Sequence, residues 1–217
     1  MSQNPGASEH LHVQFEEIEQ QNDTYVVGMW TFLVTEVMFF GGFFLVYLIY
    51  RAQNHAAFYI AHHELDITLG TINTFILLFS SLTMALAVHY AQLQKRQAQI
   101  RYLLATIGLA LAFLGVKAVE YTHKFQHHLF PGGEFHFHDA SIVQKAKMFF
   151  SIYFGATGLH AVHVIVGIGV LTWMLIRALR AKAPTQDHVP VEMVGLYWHF
   201  VDIVWIFLFP LLYLIPR

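Results

Sequence analysis

The chain has 217 residues, of which 56% are hydrophobic and only 12% are charged, and its formal net charge is −2. About a quarter of an average soluble domain is charged, so this composition, with its long apolar runs, predicts a membrane protein. The small net charge argues against nucleic-acid binding, and the absence of cysteine excludes disulfides, iron–sulfur clusters, covalently attached c-type haem and thiolate-ligated copper.

Five apolar segments are long enough to cross a bilayer, which takes roughly 20 residues of helix. The sequence therefore predicts an all-α integral membrane protein, with a bundle of five transmembrane helices within residues 25–217. Residues 1–24 are polar and acidic, lack the apolar core of a signal peptide, and are predicted to form a tail. The predicted helices cover approximately residues 25–50, 67–90, 102–121, 148–177 and 193–215.

The lysine and arginine residues between these helices indicate how the chain is oriented, because basic loops tend to stay in the cytoplasm. With the N-terminus inside, the inner loops are the two shortest ones, where this rule applies best. We therefore expect the N-terminus inside and the C-terminus outside. The inner loops then hold Lys95, Arg96, Arg101, Arg177, Arg180 and Lys182, and the outer side holds Arg51, Lys124, Lys145, Lys147 and Arg217.

Several ionisable residues lie within the predicted helices, where each costs several kcal/mol unless it has a partner or a function. Glu36 lies about 15 Å from the inner end of the first helix, near the bilayer midplane. His160 and His163 share one face of the fourth helix, and His199 and Asp202 have the same i, i+3 spacing on the fifth. We expect these five residues to form one intramembrane layer, in which Glu36 hydrogen-bonds His160 or His163. The layer serves either interhelical bonding alone or proton transfer and lipid contact.

A haem or copper site is the alternative interpretation of the membrane histidines. Such a site needs several histidines that converge at one depth, whereas here one helix supplies two and another supplies His199 beside an acid. We therefore predict no metal site and no catalytic residue. The loop histidines are more numerous, but they lie in a predicted aqueous segment, where interface roles are expected: His123, His127, His128, His136 and His138.

A second group of residues is expected to contact lipid or another subunit. Lys117 and Glu120 have a spacing that allows an ion pair near the outer end of the third helix, where Lys117 could also reach the headgroups. Asn73 lies among small polar residues that allow helices to approach closely. The whole group is Arg51, Asn73, Lys117, Glu120 and Trp198.

Motifs in all five predicted helices occur in the order found in one known family. They are Trp30 to Gly41 around Glu36 with Tyr47 and Arg51, Asn73-Thr74 with Ser80-Ser81, Glu120-Tyr121, Thr157 to Val164 with Gly167, and Tyr197 to Trp205. Together, over about residues 25–215, they resemble subunit III of the haem–copper terminal oxidases. The match begins at the third helix of the larger, seven-helix members, so the chain is similar to the bacterial five-helix form.

This resemblance implies a non-catalytic subunit of a proton-pumping oxygen reductase in the aerobic respiratory chain of a bacterial plasma membrane. It implies that haem and copper belong to the partner subunit I, and that this chain stabilises subunit I, binds structural phospholipid and supports proton uptake. Glu36 corresponds to the family's carbodiimide-reactive glutamate, while Lys117 occupies a position where glutamine is common. The alternatives are the subunit III-like protein of a nitric oxide reductase system, a transporter and a dihaem cytochrome. A transporter is disfavoured because the sequence has no inverted repeat.

Overall fold

The computed structural model describes residues 14–132, 135–138, 140–180 and 188–215. Within these ranges the chain forms six helices and no strand. Five helices are long and apolar enough to cross a membrane, so the predicted all-α bundle with five membrane-spanning helices is confirmed. The helices are α1 (Ile18–Gln53), α2 (His55–His62), α3 (Ile67–Gln92), α4 (Arg96–Gln126), α5 (Val143–Arg180) and α6 (Val189–Tyr213).

Most observed helix ends lie beyond the predicted apolar segments, because a helix continues past the hydrocarbon as long as its residues tolerate the conformation; α6 instead ends at Tyr213, two residues earlier than predicted. The helix α1 begins at Ile18, inside the predicted polar tail, and α5 begins at Val143. The first thirteen residues of the tail, and the charges of Lys182 and Arg217 used for the orientation, lie outside the described residues. The start of α3 has a strong local signal, since the Asp66 carboxylate accepts hydrogen bonds from the backbone N–H groups of Thr68 and Leu69.

The short helix α2 lies where the sequence predicts a loop. It buries Ala57, Phe58 and Ala61 on one side, and the Phe58 ring packs edge-on against Phe149 of α5 at 5.3 Å between centroids. The spacing of Ala57, Phe58 and Ala61 along the sequence is that of one helical face. The segment is nevertheless too short for this pattern alone to distinguish it from a loop. The α2 helix therefore depends on contacts with the end of the bundle.

The centre of the bundle is α6, which packs against α1, α3 and α5. Half of its apolar span is buried, whereas only 17% of the α1 span is buried. The buried apolar residues of α1 are Leu33, Phe40 and Tyr47, which recur every seven residues and form a single line of contact. The helix α1 therefore lies against the edge of the bundle, and most of its surface faces outward.

Two bulky indoles fill the interior beside glycine and small polar residues. Trp198 of α6 is fully buried against Gly167 of α5, where an added Cβ would lie 2.6 Å from Trp198 Cζ3. The Trp198 indole N–H donates to Ser80 Oγ of α3 at 2.9 Å. Gly167 and Ser80 together provide the space and the acceptor for this indole between α3, α5 and α6.

We predict that Gly167→Ala destabilises the bundle by about 1–3 kcal/mol, because the new methyl group displaces the Trp198 ring. The matched control is Gly169→Ala on the same helix, where an added Cβ meets no atom within 4 Å among the described residues. Thermal unfolding of the two variants in detergent measures the difference. An equal midpoint for both variants would contradict this interpretation of the Gly167–Trp198 contact.

Candidate functional site

Glu36 and His163 form a polar pair between α1 and α5. Glu36 Oε2 lies 3.1 Å from His163 Nε2, and both side chains are largely buried. His163 Nδ1 faces the carbonyl oxygen of Leu159 at 2.9 Å, so both ring nitrogens are used and the ring has a fixed orientation. The sequence predicts a hydrogen bond from Glu36 to His160 or His163, and in the structure the partner is His163.

The Glu36–His163 pair lines a cleft of about 390 Å³ between α1, α5 and α6. Apart from the pair, its walls are mainly apolar. A second cleft of about 520 Å³ adjoins it through the shared residue Met29 and contains Arg177, whose guanidinium lies 5.9 Å from the centroid of the Trp173 ring. We call the two clefts together the α1 groove. It has apolar walls, one carboxyl–imidazole pair within the membrane span and one arginine at the end nearest the α5 C-terminus.

His160 lies one turn from His163 but makes no contact with Glu36. Its ring is fully buried between Phe113 and Trp205, at 5.5 and 5.1 Å between centroids. Neither ring nitrogen has a hydrogen-bond partner among the described residues. His160 is therefore a packed core residue and does not join a hydrogen-bonded layer.

His199 and Asp202 lie on the other side of α6, towards α3. Ser81 Oγ is 2.7 Å from His199 Nδ1. Asp202 is buried behind this pair, close to Ser81, and neither carboxylate oxygen has a hydrogen-bond partner within the described part of the chain. The five residues expected in one layer thus occupy three places: the groove, the core and the α3/α6 boundary.

Lys117 and Glu120 form a buried ion pair that ties three helices together. Lys117 Nζ donates to Glu120 Oε2 at 2.9 Å, and the two side chains are only 4% and 1% exposed. The same ammonium donates to the hydroxyls of Tyr213 at 2.7 Å and Tyr153 at 3.3 Å. These two hydroxyls in turn donate to Glu120 Oε1 at 2.5 and 2.7 Å. Every hydrogen-bonding position of the lysine is therefore filled from α4, α5 and α6.

Aromatic rings enclose the Lys117 ammonium. The centroid of Trp205 lies 4.9 Å from Nζ, and three tyrosine rings lie slightly farther away. A ring face attracts a cation most strongly where water is excluded, so the rings add to the hydrogen bonds. The tyrosines are Tyr121, Tyr153 and Tyr213, at 5.5, 5.1 and 5.3 Å.

The residues expected to contact lipid or another subunit are mostly in the interior. Asn73, Lys117, Glu120 and Trp198 are all buried within this chain, because neighbouring helices supply the space or the partners that they need. Arg51 alone of the five is half-buried, beside the Tyr47 hydroxyl. Of the five, Arg51 is the one whose side chain reaches the surface of this chain, and the contacts with lipid or another subunit stay a prediction.

Histidines in the connection after α4 and at the end of α2 make local contacts. His138 Nδ1 lies 3.7 Å from Glu64 Oε1, and His63 Nδ1 faces the carbonyl oxygen of Tyr59 at 2.7 Å. Burial lowers the pKa of His62, whose Nδ1 faces the same carbonyl. No three or more His, Asp or Glu side chains in the described ranges are placed to hold a metal ion.

Two features of the site escape sequence analysis. Tyr153 and Tyr213 complete the ion pair from helices far away in the sequence, and isolated tyrosines in apolar segments give no sign of a buried cation. Arg177 reaches the α1 groove although it was assigned only to an inner loop. The tyrosines at the ion pair and the arginine at the groove could be identified only by knowing which helices are neighbours.

Comparison with known proteins decides the family. The family described as cytochrome c oxidase subunit III matches residues 17–216, nearly the whole chain. This chain belongs to the cytochrome c oxidase subunit III family. The resemblance inferred from the five motifs is confirmed, and membership implies a multi-pass membrane protein that associates with other oxidase subunits.

Two relatives from different bacteria show how widely this family extends. A protein of Thermostichus vulcanus named cytochrome c oxidase subunit 3 is 28% identical over 215 residues, covering 97% of this chain and 96% of the relative. A probable quinol oxidase subunit 3 of Staphylococcus haemolyticus is 29% identical over 189 residues, covering 87% and 88%. The two names differ in the electron donor, while the two relatives are nearly equally identical to this chain.

We predict that Lys117→Met lowers the free energy of unfolding by about 3–5 kcal/mol, because it leaves the Glu120 carboxylate buried without its ion partner. The double variant Lys117→Met with Glu120→Gln removes both charges and is expected to recover much of this loss. Unfolding in mixed micelles measures both values. A double variant as unstable as the single one would mean that the loss comes from packing and not from an unpaired charge.

Proposed function

We propose that this chain is a non-catalytic subunit of a proton-pumping haem–copper oxygen reductase in an aerobic respiratory chain. In this role it binds and stabilises the catalytic subunit I, retains phospholipid and supports proton uptake. The observation that carries the proposal is the Glu36–His163 pair, which lines an apolar groove in a chain of the subunit III family. The haem and copper of the reaction would be held by subunit I, with no cofactor held by this chain.

The α1 groove supports the proposed binding of phospholipid. Its apolar walls suit acyl chains, and Arg177 at one end suits a phosphate, which a guanidinium binds through paired hydrogen bonds. The Arg177 side chain is half-buried and lies beside Trp173, a residue type that favours the membrane interface. A lipid placed in this way would have its headgroup at the α5 C-terminus and its chains beside Glu36.

The Glu36–His163 pair supports the proposed role in proton uptake. A carboxyl group and an imidazole that share a hydrogen bond can exchange a proton, and both partly face the groove. Glu36 lies on α1, the least buried of the five spans, so a proton reaching the groove would not need to cross the core. The proton would then pass to subunit I, since oxygen is reduced there.

The test is to purify the oxidase with and without this chain and to follow oxygen consumption and proton uptake over many turnovers. We expect the haem and copper content of subunit I to be unchanged, and turnover to decline faster when the chain is missing. The variant Glu36→Leu should reproduce the decline while the chain remains bound. Haem or copper that leaves together with this chain would overturn the assignment as a cofactor-free subunit.

We also propose that the chain lies in a bacterial plasma membrane with its N-terminus inside and its C-terminus outside. An odd number of spans puts the two termini on opposite sides, and the basic α3–α4 turn favours the inner side. The absence of cysteine makes this orientation directly testable with single introduced thiols.

We predict that Phe130→Cys reacts with a membrane-impermeant maleimide in intact spheroplasts, whereas Leu93→Cys reacts only after the membrane is opened. The two residues are matched controls, because they are 45% and 49% exposed and lie at opposite ends of α4. The reverse labelling pattern would show the opposite orientation.

A further inference from the structure

A polar group within the membrane span faces outward from the boundary of α3 and α6. The outward surface there, which we call the α3/α6 face, consists of two polar and three apolar residues. The apolar residues are between 43% and 50% exposed, and the polar ones are half-buried. The residues of the face are Leu78, Ser81, His199, Ile203 and Ile206.

The imidazole of His199 has one nitrogen occupied and one without a partner. Nδ1 is held by Ser81 Oγ at 2.7 Å. Within the described part of the chain, Nε2 makes no hydrogen bond. The imidazole of His199 is thus left with one hydrogen-bonding position that the described residues do not fill.

The depth of His199 in the membrane determines which kind of group could hydrogen-bond to its Nε2. His199 lies about 15 Å along α6 from its first residue, Val189, so it is well inside the hydrocarbon. Water and lipid headgroups are absent at this depth, and a lipid chain has no group that can bond to an imidazole. A polar group left unpaired in hydrocarbon costs several kcal/mol.

Several other outward-facing polar groups of the spans are satisfied within this chain. Glu36 and His163 bond to each other. The hydroxyls of the outward-facing threonines bond to carbonyl oxygens of their own helices one turn earlier; they are Thr31, Thr35, Thr71, Thr122 and Thr172. His199 differs from these groups because its Nε2 has no partner in the described part of the chain.

We propose that the α3/α6 face is the surface on which a transmembrane helix of another oxidase subunit docks. This helix places a hydrogen-bonding side chain against Nε2 of His199. The inference rests on the proposed function, in which the chain binds other oxidase subunits. Membership of the subunit III family implies such association, and a neighbouring helix brings a polar group to mid-membrane depth, which lipid does not. Ile203 and Ile206, one and two turns farther along α6, provide the apolar contact beside the hydrogen bond.

The first experiment maps the face in the purified oxidase. A photo-crosslinking amino acid replaces Ile203 and, as a control, Leu111 on the outward side of α4; these residues are 50% and 55% exposed. We expect Ile203 to crosslink to another oxidase subunit in greater yield than Leu111. A yield no greater than that of Leu111, or crosslinks only to lipid or to a second copy of this chain, would overturn the proposal.

The second experiment distinguishes the role of Nε2 of His199 from that of Nδ1. The amide of His199→Gln lies near the position of Nε2, whereas the amide of His199→Asn lies near Nδ1 and preserves only the contact with Ser81. We expect His199→Gln to retain the other subunits during detergent titration, and His199→Asn to lose them about 3- to 30-fold more readily. Retention by Asn but not Gln, or equal behaviour of the two variants, would show that His199 serves this chain alone.

The outcomes distinguish this inference from the proposed function. If the wild-type chain purifies without any other oxidase subunit, the proposed function itself fails. If the complex is intact but Ile203 does not crosslink above the control, only the docking face is wrong.

Discussion

The buried ion pair between Lys117 and Glu120 joins three helices of the bundle. A charge inside the hydrocarbon is acceptable only when its partners surround it, and here the partners come from α4, α5 and α6. Those helices cannot shift relative to one another without leaving the ammonium or the carboxylate unpaired. Since apolar side chains gain little by leaving lipid for one another, this network and the fitted Trp198 supply the specificity that the hydrophobic effect supplies in water.

The position of the ion pair explains how the polar groups are distributed. Around Lys117 the helices are tightly packed, and the charged groups serve the fold. Along α1 the contacts reduce to a line of residues seven apart, which leaves the α1 groove and its Glu36–His163 pair accessible from the side. The proposed role, in which the catalysis belongs to subunit I, requires this chain to act on its complex through its surfaces. The groove and the α3/α6 face are two surfaces of the described residues that carry polar groups within the membrane spans.

The sequence predicts the spans well and the partners of the buried residues only in part. Long apolar runs identify all five membrane helices, and depth along the helices brings Glu36 and His163 together. Depth does not reveal which way a side chain points around its helix. The prediction of one layer therefore includes His160, whose ring in the structure packs between Phe113 and Trp205. The tyrosines around Lys117 and the helix α2 depend on which elements are neighbours, and that information is not local to any segment.

The pairing of Glu36 with His163 has a consequence for biosynthesis. Synthesis proceeds from the N-terminus, so α1 leaves the ribosome while the segment that contains His163 has not yet been made. Glu36 must therefore enter the membrane before the His163 imidazole is available, because α3, α4 and most of α5 are synthesised in between. During that interval its carboxyl depends on the insertion machinery or on water near the interface. The last helix, α6, then closes the line of contact through Phe40 and Phe200, so the first span of this chain becomes secured only when the final one is inserted.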